Sequence, residues 1–179
     1  MSTTAETTVT TQVYRVYIKA TPQAIWDAIT QPEWSQRYGY GGSVEFDLRP
    51  GGKYTAYTSD AMKKSGVEQG FPVPDIAVDG EVIEVDPPHK LVQTWRMLMM
   101  QGVSEGFTRL TYDISEGKGG VSKLTVTHEL EGAPQLAVLL SGGMEDQGAG
   151  GGWSWVLSDL KTLLETGAPL DPENPLNQG

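Results

Sequence analysis

Apolar and polar positions alternate along QVYRVYIKA (12–20). Tyr14, Val16 and Ile18 share one face and Arg15 and Lys19 the other, the pattern of a half-buried strand. The period then changes. In TPQAIWDAIT (21–30), Ile25, Ala28 and Ile29 form a helical stripe with Trp26 beside it; Thr21 is placed to cap the helix and Pro22 suits its first position. Pro32 opens a second short helical turn, PEWSQRYG, carrying Trp34 and Tyr38. Alternation returns in SVEFDL (43–48), which sets Val44, Phe46 and Leu48 opposite Glu45 and Asp47. RPGGKY is a tight turn and KYTAYTS (53–59) its hairpin partner. Residues 78–100 read as two strands joined at Asp86-Pro87-Pro88-His89, and 105–115 with 121–132 as a last hairpin across EGKGG. The stretch 60–75, DAMKKSGVEQGFPVPD, follows neither period and reads as a long irregular loop.

A strong helical period closes the chain. From Trp153, apolar residues recur at Val156, Leu157, Leu160, Leu163 and Leu164, while Ser158, Asp159, Lys161, Thr162 and Glu165 cover the other side. Gly167 is a natural stop, followed by Pro169. Trp155 projects away from the stripe and is expected to pack under residues 133–149, the alternative being a place in an interface. The apolar face of the strands is the surface this helix can bury against. The predicted architecture is therefore α+β: a curved antiparallel sheet of six to seven strands around a long C-terminal helix, with two short helices after the first strand. One domain is expected over 12–167, with a loose tail at 1–11 and an extended, proline-broken tail at 168–179.

Composition narrows the functional classes. A chain of 179 residues suits one domain with a real core. It has no cysteine, which removes disulfides, thiolate nucleophiles and zinc–thiolate sites and fits a cytoplasmic location. No apolar run is long enough to span a membrane, and MSTTAETTVTTQ lacks the basic and apolar regions of a secretory signal. The net charge of −10 opposes nucleic acid and anionic lipid, so neither is an expected partner.

KATPQAIWDAITQPEW, LRPGGKY, DGEVIEVDPPHKLVQTWR and GGWSWVLSDLKTLLETG, in that order and spanning about 12–167, carry a family resemblance. They resemble the SRPBCC (START-like, helix-grip) superfamily, in the branch named for the activator of heat-shock protein 90 ATPase. The resemblance implies a helix-grip fold with a cavity between sheet and C-terminal helix. It implies less about function, because the superfamily hosts binders, cyclases, hydroxylase domains and co-chaperones.

If the apolar strand phase faces the helix, Phe46, Tyr54, Trp95, Met97, Leu110, Tyr112, Leu124 and Val126 point inward. Trp34, Tyr38 and Trp153 then cap one end, and Leu157 faces them from the helix. Such a lining suits a small apolar or aromatic molecule; the alternative is a close-packed core. Met99 shares the face of Trp95 and Met97, with Met100 next, and methionine adapts to irregular ligands. His128 shares the phase of Leu124, Val126 and Leu130 and should also point inward. There it could act as a general base, with Tyr112 as a second proton carrier, in a cyclase- or dehydratase-type enzyme acting on a polyketide-like substrate. The alternative is a core histidine satisfied by a neighbouring hydroxyl such as that of Tyr112. Glu45, Asp47 and Glu129 look outward, so no acid–base pair forms. Two distant histidines and scattered acids make no metal site, and no cofactor is expected. Chaperone stimulation is a third reading. The eukaryotic co-chaperone carries a separate N-terminal domain for which this chain has no room, which makes a chaperone the least expected partner. Self-association into a homodimer is left open. Finally, the glycines at 150–152 read as a hinge letting PQLAVLLSG (134–142) turn back, so that it and 60–75 gate the cavity mouth.

Overall fold

The opening alternation becomes β1 (Thr11–Ile18), with Ile18 fully buried and Val13 and Tyr17 on the exposed face. The computed structural model describes residues 10–99, 105–147 and 150–174; of the two expected tails, 1–9 and 175–179 lie outside the described residues. Helix α1 (Pro22–Thr30) starts as its sequence requires. The Thr21 hydroxyl accepts the Ala24 amide at 3.1 Å, satisfying one of the amides a helix start leaves free. Its apolar stripe is buried, Trp26 included. Helix α2 (Pro32–Ser35) follows at once.

Strands β2 (Val44–Phe46), β3 (Lys53–Tyr57), β4 (Ile76–Asp86), β5 (Lys90–Met97), β6 (Thr108–Glu116) and β7 (Ser122–Glu129) form an antiparallel series. β1 pairs with β7, placing Tyr14 opposite Val126, so the seven-stranded sheet runs β1-β7-β6-β5-β4-β3-β2. The first two strands therefore lie at opposite edges, and α1 and α2 bridge them. Register shifts at Ala56/Tyr57 and at Val82/Glu84 add local twist to the far half. β7 alternates almost perfectly, with Ser122, Leu124, Val126 and His128 all turned inward and buried.

The closing stripe is helix α5 (Gly152–Thr166), which ends where Gly167 adopts a left-handed φ of 81° and returns its amide to the Leu163 carbonyl. Leu157 and Leu160 join Leu110, Leu124 and Val126 in one core. The architecture is the expected helix-grip arrangement, with seven strands.

The structure refines or corrects several local readings. Residues 60–75 are not an irregular loop throughout: helix α3 (Asp60–Glu68) occupies most of it, capped by the Ser59 hydroxyl accepting from Met62. None of its residues is buried, which is why the sequence shows no strong apolar period there. PQLAVLLSG forms helix α4 (Pro134–Leu140), held by buried Leu136 and Leu140 and by Glu105 accepting the Gln135 and Leu136 amides. Asp159, assigned to the polar face, is fully buried; its carboxylate accepts the Gly39 and Leu170 amides, both at 2.8 Å. That bond also pins the start of the C-terminal tail, which turns at Asp171–Asn174 rather than running straight out. Leu48, read on one face with Val44 and Phe46, is exposed while those two are half-buried.

Among the described residues no helix is long and apolar enough to cross a membrane.

Candidate functional site

Between the β3–β4–β5 face, the loop after α2 and the first turn of α5 lies a partly enclosed cavity of about 200 Å³. Tyr54 from β3, Trp95 and Met97 from β5, and Tyr112 from β6 form its sheet wall. Trp153 and Val156 face them from α5. Tyr38 and Tyr40 come from the glycine-rich loop, Met62 from α3 and Leu140 from α4. No charged side chain is among the described lining residues.

The glycines of that loop and of the α5 start have separate tasks. Gly39 takes a φ of 65°, and its amide bonds to Asp159, which locks the loop onto α5. Gly152 takes a φ of 66°, and a Cβ there would run into the Leu140 carbonyl oxygen. So α5 starts pressed against the end of α4, and only glycine permits the approach. The Gly152 amide donates to the Tyr40 hydroxyl at 3.2 Å, tying loop to helix across the cavity rim. Trp155, expected to be covered by 133–149, is half-buried, with its Cβ close to Gly151.

Behind Trp95 and Trp153 sits His128, with no exposed surface. The Trp153 indole N–H donates to His128 Nδ1 at 3.2 Å. An indole nitrogen can only donate, so Nδ1 accepts and the ring proton lies on Nε2. Nε2 then donates to Thr108 Oγ1 at 2.7 Å, and Thr108 passes its own proton to the Trp95 carbonyl at 2.8 Å. The ring also meets Trp95 edge-on, with centroids 5.2 Å apart. Burial lowers the His128 pKa to about 4, so the imidazole is neutral near pH 7. The hydroxyl that satisfies it belongs to Thr108, not Tyr112. With both nitrogens engaged and the ring outside the lining, His128 orients the two tryptophans.

The cavity side differs. The Tyr112 hydroxyl has no hydrogen-bond partner among the described residues. Burial, with the Tyr54 and Tyr38 hydroxyls close by, holds its pKa well above the usual phenol value. Burial does the same to Tyr54, partly offset by the Trp95 side chain donating toward it. Tyr38 is satisfied, giving its proton to the Ala28 carbonyl at 2.9 Å. The side-chain oxygen of fully buried Gln93 has no partner among the described residues, although Gln93 is not a lining residue.

Of the twelve predicted ligand-facing residues, Tyr38, Tyr54, Trp95, Met97, Tyr112 and Trp153 meet at the cavity. Leu110, Val126, Leu157 and His128 are buried behind it in the core. Phe46 stacks against Tyr54, centroids 4.5 Å apart, and Trp34 lies under the Arg37 guanidinium at 4.8 Å; neither reaches the lining. Met99 does line the cavity, while Met100 is outside the described residues. Tyr40 and Met62 were not anticipated. A tyrosine bracketed by glycines, and Ser59 placed to cap a helix, are the signals that point to them. His89, in the turn that joins β4 to β5, is exposed, with Nδ1 3.3 Å from the Ile114 carbonyl. No metal-holding group of three or more acids and histidines is assembled among the described residues.

The family model for activator of Hsp90 ATPase homolog 1-like proteins matches residues 19–165. The chain belongs to this family. Solved structures share its fold at low identity. The solution structure of CalU16 from Micromonospora echinospora is 20% identical with a TM-score of 0.60, covering 92% of this chain and 71% of that one. An HSP90 activator from Plasmodium falciparum is 20% identical with a TM-score of 0.58, covering 87% and 96%. DynU16, from the dynemicin biosynthetic locus, is 22% identical with a TM-score of 0.61, covering 89% and 49%. No match is found among curated proteins. Members this diverged establish the fold of the family, and the residues of the cavity must carry any functional reading.

Proposed function

We propose that this protein is a cytoplasmic binding module that holds a small apolar or aromatic molecule between the sheet and α5. The observation that carries the reading is the cavity itself. It has about 200 Å³ of space, walled by tyrosines, tryptophans and methionines and without a charged side chain in its described lining. Two of its aromatic walls, Trp95 and Trp153, are held from behind by the His128 relay, and the methionines among its walls suit ligands of irregular shape. Binding is favoured over a cyclase-type reaction because the histidine that would move a proton is committed on both nitrogens. Tryptophan fluorescence titrated with naphthalene tests the reading, since Trp95 and Trp153 both face the cavity. Saturable quenching is expected. It should disappear in Ala56→Phe, where a ring grows into the cavity from its wall. Quenching that survives the plug contradicts the reading.

A chaperone contact is the second reading, favoured by the family description and by the Plasmodium activator of like fold. It predicts that the purified protein changes the rate of an Hsp90 ATPase; an unchanged rate removes it.

A further inference from the structure

The cavity is apolar but does not lack donors. Tyr112 and Tyr54 both line it, and no described acceptor takes the proton of either hydroxyl. A donor that faces an apolar space without an acceptor is unfavourable, so such groups are rare unless something else completes them. Their partner in the cavity, Tyr38, is already satisfied by the Ala28 carbonyl. The Tyr40 hydroxyl lies across the rim, tied to the Gly152 amide; the two unspent donors on the sheet wall, Tyr54 and Tyr112, call for a single acceptor with two lone pairs, which is what a carbonyl oxygen offers.

We infer that the ligand is a neutral, two-ring aromatic molecule bearing a carbonyl, its oxygen held between the Tyr54 and Tyr112 hydroxyls and its rings between Trp95, Trp153 and Met97. This rests on the cavity reading above and adds the class of molecule. Size follows from volume: a dry cavity of about 150 Å³ takes benzene, so about 200 Å³ accommodates a second ring. Neutrality follows from the walls. Among the described lining residues no lysine, arginine or histidine meets an anion and no carboxylate meets a cation. Burial also keeps both phenols protonated, so they remain donors across the working pH range. The rival class is a quaternary ammonium, which aromatic faces attract.

The test compares acetylnaphthalene with ethylnaphthalene, which share shape and differ in the carbonyl, and adds tetramethylammonium as the rival probe. Binding is followed by tryptophan fluorescence of the full chain. The ketone should bind about tenfold more tightly than the hydrocarbon, the scale of a satisfied buried hydrogen bond. Tyr112→Phe and Tyr54→Phe should each shrink that preference severalfold. Because the Tyr112 hydroxyl has no partner to lose among the described residues, the melting temperature of Tyr112→Phe should not fall. Equal binding of the two naphthalenes by the native protein, or a preference that persists in both variants, overturns the inference while leaving the cavity reading intact. Tighter binding of tetramethylammonium also overturns it. If neither naphthalene binds, the cavity reading itself falls and the inference with it.

Discussion

His128 and Tyr112 both meet Trp153 edge-on, yet their hydrogen-bonding states are opposite. Behind the indole, each polar group of the Trp153–His128–Thr108–Trp95 relay has a partner and each proton a defined direction. In front of it, the Tyr54 and Tyr112 hydroxyls of the sheet wall face the cavity without an acceptor among the described residues. A polar network that is complete within the chain makes framework. One that is left incomplete beside open space marks where a second molecule belongs. Sequence phase alone cannot separate them, since His128 and Tyr112 both point to the concave face.

The sharpest way to break this contrast is to empty the saturated side. His128→Ala leaves the Trp153 and Thr108 partners unpaired and opens a void, and should lower stability by about 3 kcal/mol in urea unfolding. The same residue sets a pH signature. Its folded pKa lies near 4, below the unfolded value of 6.5, so the unfolded chain binds the extra proton between those values. Stability from this group is complete above about pH 6.5 and is lost as pH falls toward 4, by roughly 3 kcal/mol. His128→Ala should flatten that part of the profile; an unchanged slope would mean that the ring is not held neutral.

Gly152→Ala is next. It places a Cβ against the Leu140 carbonyl at a left-handed φ, and should destabilise by about 2 kcal/mol or more on thermal melting. Asp159→Ala frees the Gly39 and Leu170 amides. A loss of about 2 kcal/mol is expected, with faster amide exchange at Gly39. Protection at Gly39 that stays native would show that the loop is held by other contacts. The smallest effect has the opposite sign. Gln93→Met replaces a stranded side-chain oxygen with an apolar side chain of similar length and should stabilise by about 1 kcal/mol.

These residues also show where sequence reading reaches its limit. The strands, α1 and α5 were legible because each buries one continuous face, and burial writes a period into the sequence. Helix α3 was not, because it buries no residue and needs no stripe. Asp159 was misread because its partners, the Gly39 and Leu170 amides, come from a distant loop and the tail, and only their placement makes a buried carboxylate tolerable. For the candidate site, strand phase identified the face but not depth along it. Tyr54, Trp95, Met97 and Tyr112 border open space, whereas Leu110, Val126 and His128, in the same phase, are covered. Where a sheet curls away from its helix depends on three-dimensional packing, which no single strand records.

The account turns on whether the space before Trp153 admits a molecule. The most direct measurement is an NMR experiment for through-space contacts between naphthalene and the full chain. The account predicts contacts from the naphthalene protons to the methyl groups of Met62 and Met97 and to the Tyr112 ring. Contacts confined to exposed residues such as Val67 or Phe71, with Met97 and Tyr112 silent at saturation, would contradict it.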